Sequence, residues 1–83
     1  MKLEKQRPVY WECTIDGHSK FWAAQIIENK TQTKTSYILI RKWGMIGTKG
    51  QRMDQPFYDR NEAENALDKL IWDKENKGYK SIF

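Results

Sequence analysis

One segment near the C-terminal end carries a complete helix signal, and it constrains what the rest of the chain can be. Ala63, Ala66, Leu67, Leu70 and Ile71 recur at helical spacing and form a single apolar stripe. Asp59 is a good N-cap, with Glu62 three residues on as in a capping box. Lys74 and Lys77 stand near the other end, where the helix macrodipole favours cations, and Gly78 sits where a C′ glycine belongs. These signals predict a helix over about 60–77. Its stripe must be covered, and the only large candidate in an 83-residue chain is one face of a sheet.

The preceding residues supply that sheet. Val9, Trp11, Cys13 and Ile15 alternate with Tyr10, Glu12, Thr14 and Asp16, the period-two pattern of a half-buried strand. Asp16-Gly17-His18-Ser19 reads as a turn. Lys20 to Glu28 is apolar on both sides (Phe21, Ala23 and Ile27 against Trp22, Ala24 and Ile26), which predicts a central strand. Asn29 to Lys34 reads as a polar loop. In Thr35 to Trp43, Ile38 and Ile40 share a face with Lys42, whereas Tyr37, Leu39, Arg41 and Trp43 take the other. Gly44, Gly47 and Gly50 punctuate a hairpin, and a fourth strand runs from about Gln51 to Phe57. The tail from Tyr79 to Phe83 is aromatic enough to pack back or to add a short edge strand. The fold expected is α+β: an antiparallel meander of four to five strands with one helix on one face. A single domain spans 1–83, with a loose leader at 1–8 ending in Pro8.

A chain this short needs a dense core. Its four tryptophans and 13% aromatic content supply one, each large ring burying roughly 150–250 Å². A lone Cys13 argues against a disulfide-stapled secreted domain. No stretch approaches the ~20 apolar residues of a membrane span. A reducing, cytoplasmic setting with no membrane partner is the expectation. Net charge is +4 with a pI near 9.3, and it is unevenly placed. Residues 41–52 carry Arg41, Lys42, Lys49 and Arg52 with no acid, whereas residues 53–83 carry five cations against seven acids.

Catalytic and metal chemistry find little support. His18 falls in a turn, and Cys13 alternates with Trp11 and Ile15 as a small buried hydrophobe, whereas a reactive thiol needs exposure beside a cation. One cysteine and one histidine cannot build a four-ligand zinc site of the usual kind. The acids of 62–75 look like a solvated helix face, and the glycine spacing fits neither glycine-rich nucleotide motif. No catalytic residue, cofactor or metal is expected. Trp72 lies off the apolar stripe, about 140° from Leu67 at 100° per residue. It is expected either to pack against the tail, at Tyr79 or Phe83, or to stand as an exposed contact, with tail packing the favoured reading.

The basic hairpin is the candidate binding site. Arg41, Lys42, Lys49 and Arg52 can neutralise phosphates. Trp43 can stack on a base or sugar, and Gly44 and Gly47 can let a partner approach the backbone. The plainer reading makes Trp43 ordinary core and the lysines solubilising.

Lys20-Phe21-Trp22, Gln25, Tyr37, Arg41-Lys42-Trp43-Gly44-Met45-Ile46-Gly47, Gly50-Gln51, Phe57, Ala63 and Lys77-Gly78-Tyr79 together resemble the WGR domain, over about residues 10–80. Such domains occur in DNA-dependent poly(ADP-ribose) polymerases and, in bacteria, as stand-alone proteins or beside other modules. The resemblance implies an antiparallel sheet with one helix. It also implies that the motif tryptophan, here Trp43, packs on the sugar at a DNA end. The motif arginine, which contacts DNA and a neighbouring domain, is replaced here by Met45, so Arg41, Lys42 or Arg52 would have to substitute. The expected function is therefore non-catalytic binding of nucleic acid, at DNA ends or nicks, by a monomer. The alternative is a protein-interaction module that keeps the fold, with Met45 as an adaptable apolar contact.

Overall fold

The computed structural model describes residues 9–82. The expected leader at 1–8, and Phe83, lie outside them. Strands β1 (Val9–Cys13), β2 (Lys20–Lys30), β3 (Thr35–Met45) and β4 (Gln51–Phe57) precede helix α1 (Arg60–Asn76) and a two-residue strand β5 (Lys80–Ser81). They form one antiparallel sheet in the order β4-β3-β2-β1-β5, with α1 on one face. The meander, the central position of β2 and the edge strand from the tail all match the sequence reading. So does β4.

The differences are local and have physical reasons. β1 ends at Cys13 because Asp16 and Gly17 adopt positive φ (54° and 78°), and Ile15–Gly17 forms a single 3₁₀ turn. Ile15 therefore leaves the sheet and is 45% exposed. β2 and β3 each run two residues further than expected, pairing Lys30 with Thr35 and Lys20 with Met45. Their polar ends need no burial because the ladder satisfies the backbone. Thr31 closes the loop, its amide donating to the Lys34 carbonyl at 2.8 Å and its hydroxyl accepting from the Lys34 amide at 3.0 Å.

The helix is placed by its ends and its stripe. Asp59 caps the N-terminus by accepting from the Asn61 amide at 2.9 Å. At the C-terminus Tyr79 N–H donates to the Lys74 carbonyl (3.1 Å) and Gly78 N–H to that of Glu75 (3.2 Å), the paired bonds of a Schellman motif. Gly78 has φ +101°, and a Cβ there would stand 2.6 Å from Ile15 Cδ1. At ~1.5 Å per residue, α1 is about 25 Å long, enough to cross five strands spaced ~4.8 Å apart. It carries the chain from the β4 edge to the β5 edge.

Under it lies the core. Trp11, Trp22, Ala24 and Leu39 are buried, and Ala66, Leu67, Leu70 and Ile71 pack on them. Ala63 and Leu39 are 0% exposed. Trp11 and Trp22 face each other with ring centroids 5.0 Å apart. The Trp11 indole N–H donates to Glu75 Oε2 at 3.1 Å, which ties β1 to the last turn of α1.

Candidate functional site

The register sorts the candidate residues by face. Trp11, Trp22, Trp43 and Gln51 stand opposite one another in one row across four strands. That row lies on the helix face, since Trp11 and Trp22 are in the core. Side chains alternate along a strand, so Arg41 and Met45, each about 7 Å along β3, share that face with Trp43. Lys42 and Arg52 pair across β3 and β4 on the opposite face. Lys49 is exposed in the loop between them. The sheet therefore divides the basic hairpin: Arg41 stays with Trp43, and Lys42 and Arg52 do not.

The two faces also differ in charge balance. Arg52 is tied to Asp54, Nε to Oδ1 at 2.7 Å and Nη2 to Oδ2 at 3.0 Å. That bidentate hydrogen bonding, with the nearby charge of Arg52, holds the Asp54 carboxyl below its usual pKa of 3.8. The helix face gathers cations from distant parts of the sequence instead. Lys20 enters beside Met45, in the row next to Trp22 and Trp43. The Lys74 ammonium lies 5.8 Å from the Trp22 ring centroid and 5.3 Å from that of Tyr79. Burial holds the Lys74 pKa below 10.5, and the like charges of Lys77, Lys20 and Arg41 add to the effect, against the opposing pull of Asp73. Sequence reading missed Lys20 and Lys74, because only the β2–β3 register and the path of α1 bring them beside the tryptophan row.

Trp43 is half-buried, packed against the core on this face. Its neighbours Met45 (64% exposed) and Met53 (49%) leave an apolar margin around it. The motif glycines serve the hairpin itself. A Cβ on Gly50 (φ +70°) would collide with the Trp43 carbonyl oxygen and stand 2.9 Å from Phe21 Cζ. A Cβ on Gly44 would stand 2.8 Å from Gly50 Cα. Gly47, with φ +93° and nothing within 4 Å, is the glycine whose surroundings are open.

Arg41 is held differently from the other cations. Its Nη2 donates to Gln55 Oε1 at 3.1 Å and approaches Met53 Sδ at 2.8 Å. Its Nε is buried with no hydrogen-bond partner among the described residues. An N–H left in this state costs about 1–3 kcal/mol. The guanidinium contributes to a groove of about 420 Å³ between α1 and strands β3–β4, with Lys69 and Trp72 on the helix side. Trp72 is 69% exposed there, which favours the exposed contact over packing on the tail, Phe83 lying outside the described residues. Tyr79 turns to the core and Lys74 instead.

The remaining chemistry-bearing residues are quiet. Cys13 is a buried free thiol and His18 is exposed. No group of three or more His, Cys, Asp or Glu side chains among the described residues could hold a metal ion. No helix among them is long and apolar enough to cross a membrane.

No curated protein matches the chain. A crystal structure of a protein from Bacteroides fragilis is similar at a TM-score of 0.78 and 27% identity, over 93% of this chain and 20% of that one. The chain thus spans about a fifth of the length of that protein. The profile of the WGR domain family matches residues 7–82. With the antiparallel sheet, the crossing helix and the Trp43-Gly44 hairpin in place, the chain belongs to the WGR domain family, whose members are binding modules associated with nucleic acids.

Proposed function

We propose that this chain binds DNA at ends or nicks, without catalysis, through the helix-side face around Trp43. The observation that carries the reading is the gathering of Lys20, Arg41 and Lys74 beside the Trp22–Trp43 row, where their mutual repulsion helps to depress the Lys74 pKa. An anion arriving there relieves that repulsion. Trp43 would stack on a terminal sugar or base, which a duplex interior does not offer. Lys20, Arg41 and Lys74 would contact phosphates, with Lys49 reaching from the hairpin loop. Met45, exposed beside Trp43, would add apolar contact in place of an ionic one. Lys42 and the Asp54-paired Arg52 are left outside the interface.

Fluorescence anisotropy with a labelled blunt duplex, at several salt concentrations, tests this. Four phosphate contacts, from Lys20, Arg41, Lys74 and Lys49, give a slope of log K against log salt of about −3.6. A covalently closed circle of the same sequence should compete poorly. A flat salt response, equal competition by the closed circle, or unchanged affinity in Trp43→Ala would refute the reading.

A protein-interaction role is the second reading, favoured by the 64% exposure of Met45 at the motif position. Partners captured from the source cells should survive nuclease treatment under that reading and disappear under the first.

A further inference from the structure

From the groove between α1 and strands β3–β4 we infer a second subsite. It takes one unpaired nucleotide beside a DNA end, the base against Trp72 and its phosphate at Arg41 and Lys69. This inference rests on the DNA-binding reading above and adds a specificity to it.

Three features of the groove carry the argument. The first is the Arg41 guanidinium. Gln55 fixes its orientation through Nη2, and no carboxylate among the described residues forms a salt bridge with it. A fixed, unpaired guanidinium suits a phosphate oxygen. The second is Trp72, whose indole is 69% exposed beside that cation instead of packed. An aromatic platform next to a cation is how single strands are held without regard to sequence. The third is size and position. At about 420 Å³ the groove falls within the ~300–1,000 Å³ of ligand sites. Arg41 joins it to the Trp43 face, two residues along the same side of β3. A strand leaving a duplex end at Trp43 therefore meets Arg41 next and Trp72 beyond it. Asp73 also lines the groove, and its charge is partly offset by Lys77, with Nζ 3.4 Å from Oδ2.

The test compares duplexes that are blunt or carry a four-nucleotide overhang on either strand, with Trp72→Ala, Trp72→Phe and Lys69→Gln alongside the unmodified chain. Trp72 and Lys69 are exposed, so these variants should fold. The unmodified chain should bind an overhang roughly 5- to 160-fold more tightly than a blunt end, the range that stacking of one base covers. Trp72→Ala should lose that preference and keep its blunt-end affinity, Trp72→Phe should retain part of it, and Lys69→Gln should reduce it. Equal affinity for blunt and overhanging ends, with both still dependent on Trp43, would overturn the inference and leave the DNA-binding reading intact. A preference that persists in Trp72→Ala would also overturn it, because the base would then sit elsewhere. Failure to bind any DNA would overturn both.

Discussion

Replacing Gly50 with alanine separates two uses of the motif glycines, internal packing and ligand approach. Gly50 has φ +70°, where an L-residue pays roughly 1–2 kcal/mol relative to glycine. Its new methyl would also meet the Trp43 carbonyl oxygen, which is backbone and cannot swing aside, and Phe21 Cζ at 2.9 Å. Overpacking of that kind adds roughly 1–3 kcal/mol. The expected loss is therefore about 2–5 kcal/mol, out of the ~4–12 kcal/mol that a domain of this length has in total. At ~4–8 °C per kcal/mol the melting temperature should fall by roughly 8 °C or more. Gly47→Ala is the control in the same turn. With φ +93° and no atom within 4 Å it should lose only the conformational part, about 1–2 kcal/mol. Guanidinium denaturation followed by circular dichroism measures both, and equal m-values show that the comparison is of stability alone. A Gly50→Ala protein as stable as Gly47→Ala would refute the packing account of the hairpin. If instead Gly47→Ala weakens DNA binding beyond its effect on stability, Gly47 is the glycine that a ligand approaches.

Further outcomes follow from the same geometry. Leu39→Ala, at a fully buried position beneath α1, should cost about 2–5 kcal/mol by chemical denaturation. The Asp54 carboxyl should titrate below 3.8 by NMR and move up toward that value in Arg52→Gln. Because its folded pKa is depressed, the stabilisation it brings is present above 3.8 and fades as pH falls through the folded value. Arg52→Gln should leave affinity for a blunt duplex unchanged at neutral pH. Lys74 behaves in the opposite sense. Its folded pKa lies below 10.5, so its ammonium opposes folding at neutral pH, and that opposition lifts as pH rises from the folded value toward 10.5. NMR titration of Lys74 should show a midpoint below 10.5 that rises in Lys20→Gln and rises again when DNA binds.

Local patterns made most of the fold legible. Alternation in Lys20–Glu28 identified the central strand, and Asp59 and Gly78 bracketed the helix because capping uses only neighbouring backbone. The same alternation along β3 put Arg41 with Trp43 and Lys42 opposite, so part of the split site was readable before the structure. What was not readable depends on contacts distant in sequence. Lys20 and Lys74 reach the tryptophan row only through strand register and the path of α1. Arg52 is neutralised by Asp54, which stands two residues beyond the acid-free stretch 41–52. The angle of Trp72 around the helix says only that it leaves the stripe. Which neighbour it meets depends on how α1 crosses the sheet. The glycine spacing reads as an opening for a partner, whereas Gly44 and Gly50 are occupied by each other and by Phe21, a contact that closes only when the hairpin forms.

In the proposed complex the helix-side cations around Trp43, and not those on the opposite sheet face, hold DNA phosphates. The salt dependence of blunt-duplex affinity in Lys20→Gln and Lys42→Gln measures it most directly. Lys20→Gln should make the slope shallower by about 0.9, and Lys42→Gln should leave it unchanged. The reverse pattern, a slope that responds to Lys42 and ignores Lys20, would contradict it.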